Sequence, residues 1–266
     1  MGKNHIQLAT LATVTTVTTL LASAPLHAGE KDAIVPAPHA PASDDGWQFT
    51  FSPYAWAAGL DGSVGLGNVV ANVDQSFSDI LENLDIGAML HFEARKGRWA
   101  FMLDGFWLRL EADADTPGPL YGAAEAEVEE LRLSALLAYR AIEGPTTLDL
   151  LAGLSYFSVD TDLELTPGLL AGRELSFSED WIDPVIGFHL RHELCERWFS
   201  MLRGEIGGFG AGSDLTWQVM TGVGYRTGES SEVFLGYRHL DIDYSDNGFT
   251  YDTSTSGIIV GMNFSF

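Results

Sequence analysis

A few short stretches carry the residue types that chemistry needs. His91 lies two before Glu93 and His189 two before Arg191, with Ser134 and Ser155 on segments of similar character. A serine, a histidine and an acid are the parts of a hydrolytic triad, and acid groups with a histidine can activate water. In "HLDIDYSD", His239, Asp241 and Asp243 fall on one face with Asp246 following. Carboxylate oxygens so placed suit a hard cation. A third set consists of opposite charges: Glu93 with Arg95, Glu130 with Arg132, Arg203 with Glu205 and Asp183 with Arg191, with Asp104 on a segment of the same kind. Such pairs are what a polar interior requires, because a charge taken out of water must find a partner.

The elements that position these groups announce themselves by period-two alternation. In "EVEELRLSALLAYR", 127–140, one face carries Leu131, Leu133, Ala135, Leu137 and Tyr139 and the other Glu130, Arg132, Ser134 and Arg140. In "TWQVMTGVGY", 216–225, Trp217, Val219, Val223 and Tyr225 alternate with Thr216, Gln218, Gly222 and Gly224. Segments 47–58, 86–95, 99–110, 148–159, 182–191, 198–208 and 233–244 read the same way, and 256–266 makes about ten strands with Phe266, Phe264, Met262, Val260 and Ile258 on one side. The stretch 62–85 is a single excursion, a hairpin extension around "GLGN" followed by a short helix capped by Ser76 or Ser78, with Ile80, Leu81 and Leu84 as its apolar stripe. That helix folds over a barrel mouth or into its lumen.

Two architectures bury this pattern, a soluble sandwich with its apolar faces inward or a membrane barrel with them outward. The polar faces here are rich in glycine, serine and paired charges, which a closed barrel needs around its lumen. Aromatic residues gather at strand ends, at Trp47, Trp99, Trp198, Tyr139 and Tyr225. Connections alternate between tight turns ("RKGR", "IEGPTT", "ELCER", "RTGESSE") and long loops at 59–85, 112–125 and 160–173. These features predict an all-β, up-and-down antiparallel transmembrane barrel of ten strands, eight or twelve being the alternatives. With Tyr54, Trp56, Met89, Phe106 and the charged groups inward, an occluded lumen is expected.

Ahead of the barrel, residues 1–28 have Lys3, an apolar and threonine-rich middle and small residues before a cut after Ala28, the order of a secretory signal peptide. Residues 29–46, with three prolines, read as an extended tether. The formal charge of −23, from 37 acids against 14 bases, argues against nucleic acid as a partner. A single cysteine, Cys195, permits neither an internal disulfide nor a Cys-based zinc site.

On this scaffold the chemistry narrows. Residues two apart on a strand are ~7 Å apart, so a triad would have to assemble across strands, and no nucleophile-elbow motif is present. The expectation is a lumen network of His91, Glu93, Asp104, Glu130, Arg132, Asp183, Arg191, Arg203 and Glu205, without a catalytic residue or cofactor. No EF-hand spacing accompanies Asp241 and Asp243, the only weak metal candidates. Lipid and lipopolysaccharide are the expected partners of a monomer. The predicted role is a non-enzymatic envelope protein; a small cation-preferring channel is the alternative, and a lipid- or peptide-acting hydrolase the next.

The last eight residues, Ile259 to Phe266, resemble the C-terminal strand signal of bacterial outer-membrane proteins, with Gly261 followed by Phe264 and Phe266. That resemblance implies recognition by the barrel-assembly machinery. The phrases "SPYAWAAGLDG", "VDQSFSDILENLDIG", "FEARKGRWAFMLDGFW", "WIDPVIGF" and "GYRHLDIDY" resemble a family of proteobacterial outer-membrane barrels without an assigned activity. The likeness implies barrel type and transfers no catalytic residue.

Overall fold

A computed structural model describes residues 46–66, 69–115 and 121–266. The expected signal peptide, nearly all of the tether and the tips of the first two outer hairpins lie outside the described residues.

The chain runs β1 (Gln48–Leu66), β2 (Val69–Gln75), α1 (Phe77–Glu82), β3 (Leu84–Lys96), β4 (Trp99–Asp115), β5 (Tyr121–Ile142), β6 (Thr146–Pro167), β7 (Arg173–Glu193), β8 (Trp198–Gly208), β9 (Leu215–Arg226), β10 (Ser231–Asp246) and β11 (Phe249–Ser265). All pairings are antiparallel, and each strand from β3 to β11 pairs with the next in sequence. β11 then returns to β1, from Thr50↔Ser265 to Leu66↔Phe249, which closes a ten-strand barrel. β2 is the expected hairpin extension and pairs only with the outer part of β1.

Closure follows from alternation. On β11, Ile258 and Val260 are 55% and 50% exposed whereas Ile259 between them is 2% exposed. The outward set can face only lipid, since the sheet closes through β1 and β11 and leaves no second sheet to cover it. Exterior residues of the other strands, such as Phe101, Leu133, Leu137, Leu150, Leu154 and Ile186, are likewise exposed and apolar.

An aromatic girdle bounds this belt at the inner end. Trp99 packs on Tyr139 and Trp198 on Tyr225, with ring centroids 4.9 and 5.1 Å apart, and Phe49 stacks between Trp47 and Phe266. At the other end Trp107 donates from Nε1 to Glu129 and Trp217 lies against His239. Trp99 to Trp107 is about 27 Å of strand, or roughly 20 Å of height at a ~40° tilt, close to the apolar band of an outer-membrane barrel.

The outer connections differ from the expected long loops. β4 and β5, and β6 and β7, keep pairing far beyond the belt, to Asp115↔Ala123 and Leu165↔Arg173. Most of each expected loop is therefore a β-extension, because Ala, Thr and Leu alternate with acids there as well. β10 and β11 turn through Asn247 and Gly248, both at positive φ, as an Asn-Gly hairpin requires. The helix is α1, capped by Ser76, whose hydroxyl accepts from the Asp79 amide while the Asp79 carboxylate accepts from the Ser76 amide. Leu84 belongs to β3 instead of the helix, and α1 buries none of its residues, so it does not plug the lumen.

Candidate functional site

The inward faces meet in three layers. Nearest the inner end, Arg95 on β3 binds Glu93 at 2.6 Å and Asp149 of β6 at 2.7 Å, and Arg140 of β5 forms a two-pronged contact with the same Asp149 at 2.9 Å. On the opposite wall Arg191 joins Glu193 and Glu232, both shared with Arg226, and lies 3.5 Å from the Phe199 ring centroid.

The middle layer crosses the barrel. Arg132 of β5 reaches Glu205 of β8 at 3.5 Å and Asp104 of β4 at 3.7 Å. Arg203 binds Glu205 at 2.5 Å, and the Gln218 amide of β9 also donates to Glu205. Arg238 of β10 donates to Gln218 at 2.8 Å and to the Tyr54 hydroxyl of β1 at 3.1 Å, and stands 3.5 Å from Asp104. His91 of β3 completes the set, 3.4 Å from Asp104. Seven strands thus contribute, and Arg132 is 1% exposed and Arg238 2%. So many buried charges persist only because each cation meets an acid or an amide oxygen in a site with little water.

Above this layer the interior is aromatic. Phe157 stacks on Trp181 at 5.1 Å, Trp181 on Tyr244 at 4.1 Å and Phe177 on Phe249 at 4.7 Å. Trp56 meets Phe106 edge-on at 6.0 Å, and Leu240, Ile242 and Tyr251 fill the remaining space.

Several expectations hold, and several need correction. Glu93 pairs with Arg95 and Arg203 with Glu205 as the sequence suggested. Arg132 turns away from Glu130 to Asp104 of the neighbouring β4 and to Glu205 across the lumen, and Glu130 faces the Tyr251 hydroxyl. Asp183 does not pair with Arg191: it accepts from the Ser213 amide at 2.7 Å, the Ser213 hydroxyl at 2.5 Å and the Thr216 hydroxyl at 2.7 Å. Eight residues along a strand separate Asp183 from Arg191 by about 27 Å, too far for an ion pair. Ser134 and Ser155 hydrogen-bond each other at 2.7 Å and have no histidine beside them among the described contacts. His189 is inward, near Arg203.

Arg238, Gln218, Asp149 and Glu232 were missed by sequence reasoning. Parity alone identifies the first: His239 faces outward, so Arg238 must face the lumen. Asp241 and Asp243 are outward on the part of β10 above the belt. Among the described residues no three potential ligands converge on a metal position, and Asp241 and Asp243 form no such site. Partial burial, with the neighbouring carboxylates Asp252, Asp214 and Asp241, instead pushes Asp243 above the usual carboxylate range.

One serine–histidine contact exists on the exterior, between His239 Nδ1 of β10 and Ser256 Oγ of β11 at 2.6 Å.

No protein-family model matches the sequence, and no curated protein matches it. Among solved structures, the outer membrane protease OmpT of Escherichia coli is similar at 10% identity, with a TM-score of 0.56 over 84% of this chain and 98% of that one. The translocator domain of the autotransporter NalP from Neisseria meningitidis gives 12%, 0.45, 85% and 91% in the same order. The attachment invasion locus protein Ail of Yersinia pestis gives 11%, 0.36, 84% and 99%. At these identities the likeness to OmpT is one of fold. Together with the apolar belt, the two girdles and the unbroken order of strands, it leads to one structural conclusion: the chain is a closed, ten-strand antiparallel β-barrel of the bacterial outer-membrane type.

Proposed function

We propose that this barrel is a non-enzymatic envelope protein whose lumen is sealed against solutes. The observation that carries this reading is the middle layer, in which Asp104, Arg132, Arg203, Glu205, Gln218 and Arg238 bridge opposite walls and are all buried. A water-filled pore would leave these groups hydrated, whereas here they pair with one another. Lipid and lipopolysaccharide surround the proposed protein, which is a monomer. Gly261, Phe264 and Phe266 serve as its assembly signal, and the five phrases quoted above support membership of the family they resemble.

The test is swelling of liposomes carrying the refolded protein. Sealed barrels leave the vesicles as tight to small sugars and salts as protein-free ones; swelling that scales with protein content contradicts the proposal.

A hydrolytic reading has one observation in its favour, the Ser256–His239 contact. It lacks an acid on the other imidazole nitrogen among the described contacts, so the histidine has nothing to fix its tautomer or stabilise its charged form. A serine-reactive fluorophosphonate should leave Ser256 unlabelled. Labelling that disappears in Ser256→Ala would replace the envelope reading with a lipid hydrolase.

A further inference from the structure

The barrel wall is not hydrogen-bonded along its whole height. β1 and β3 pair only from Gln48↔Arg95 to Pro53↔Leu90. Beyond Pro53, residues 54–59 of β1 have register partners in β11 alone, and residues 84–89 of β3 in β4 alone. No further register pair joins the two runs among the described residues. A reason is visible at the outer end, where a register shift between Leu84 and Ile86 bends β3 where it would otherwise return. The upper limit is set where the chain leaving β2 crosses β1: a Cβ at Gly59 would stand 2.9 Å from the Gln75 carbonyl oxygen.

The gap lies within the lipid belt, since its β1 side is in register with the outward Ile258 and Val260 through Ala57 and Ala55. An unpaired strand edge at that depth is tolerated only where it lines a cavity or is covered. The margins are small or apolar on the outside, with Ala55 and Ala57 on β1 and Ile86, Ala88 and Leu90 on β3. On the inside stand Trp56, Met89, Phe106 and Leu108, the rim of the aromatic layer. Trp56 is 7% exposed, yet its Nε1–H has no hydrogen-bond partner, although Arg238 lies 4.8 Å from its ring centroid. A buried donor left unpaired costs about as much as a lost hydrogen bond, so an acceptor belongs there.

We propose that this unpaired stretch is a side window through which a single acyl chain carrying a terminal oxygen, as in a fatty acid, enters from the outer leaflet and binds. The chain lies against Trp56, Phe106, Met89 and Leu108, and its oxygen accepts from Trp56 Nε1. The middle charge layer below stops it from passing through, so a sealed lumen and a side site coexist.

The experiment is a titration of the full chain in nanodiscs of saturated phospholipid with cis-parinaric acid, read by energy transfer from tryptophan. Wild type should bind it saturably. Gly87 faces inward in the gap, and a Cβ there meets nothing closer than 3.6 Å, so Gly87→Phe fills the window without disturbing the ladder; binding should weaken at least tenfold. Trp56→Phe should weaken it by about threefold to tenfold, the worth of one hydrogen bond, while leaving a methyl-terminated polyene of equal length unaffected. Retained heat-dependent gel mobility verifies that both variants are folded. Unsaturable uptake, binding indifferent to both variants, or a dimer in light scattering that places a second copy on the edge would each overturn the proposal.

Discussion

Asp104 and Asp183 are both buried carboxylates, yet their surroundings assign them different energetic roles. Asp104 faces Arg132, Arg238 and His91, so Asp104→Asn strands cations in a site poor in water and should cost about 3–5 kcal/mol. Asp183 holds only neutral donors, and Asp183→Asn should cost about 1–3 kcal/mol, the scale of disturbed hydrogen bonds. Urea unfolding of the refolded barrel compares them, and the opposite ranking would contradict the network described. Asp243 gives a pH effect. Its folded pKa lies above its unfolded value, so its contribution to stability is present below the unfolded pKa and lost as pH rises through the folded one. The outer hairpin of β10 and β11 should therefore open more often at pH 7 than at pH 4 in hydrogen exchange corrected for intrinsic rates. In Asp243→Asn the difference should shrink; an unchanged pH profile would show that Asp243 is not responsible. Residue-level chemistry was only partly legible beforehand. Glu93–Arg95 and Arg203–Glu205 could be read because both partners share a face two residues apart, whereas Arg132's choice of Asp104 on the adjacent β4 and Glu205 on β8 over Glu130 depends on which strands lie beside and opposite it, and alternation carries no such information.

The two sides of β1 make contrasting elements. Toward β11 the seam is tight: a Cβ at the inward Gly257 would lie 2.0 Å from the Ala57 carbonyl oxygen, a backbone atom that cannot step aside. Gly257→Ala should therefore cost about 1–3 kcal/mol, seen as a lowered temperature for loss of the compact, unboiled gel form. Gly87→Ala, on the unpaired side, should leave that temperature unchanged. Equal behaviour of the two variants would mean that β1 is paired alike on both sides. The strands themselves were legible because each keeps a strict period of two, and Ser76 was one of the two cap candidates, with Ser78, that the sequence offered. The outer extensions were not, since acids and glycines between 59 and 85 or 112 and 125 resemble loop composition, and what carries them as strands is cross-strand pairing. The segment 47–58 reads as one continuous strand, and only the register shows that its ladder with β3 ends at Pro53↔Leu90 and never resumes.

As a whole molecule, the chain solves the problem of a polar interior in lipid by closing its backbone on itself and its charges on one another. Closure was legible from the even number of strands and from β11, whose two edges needed partners; lumen architecture was not, because three stacked layers arise from the shear that brings Tyr54, Asp104, Arg132, Glu205, Gln218 and Arg238 to one level. Single-channel recording in planar bilayers tests that sealed layer most directly. A sealed lumen predicts silence from the wild-type barrel under applied voltage and discrete steps once Arg132→Ala and Arg203→Ala together break the bridge. Steady conductance steps from the wild-type protein would contradict it.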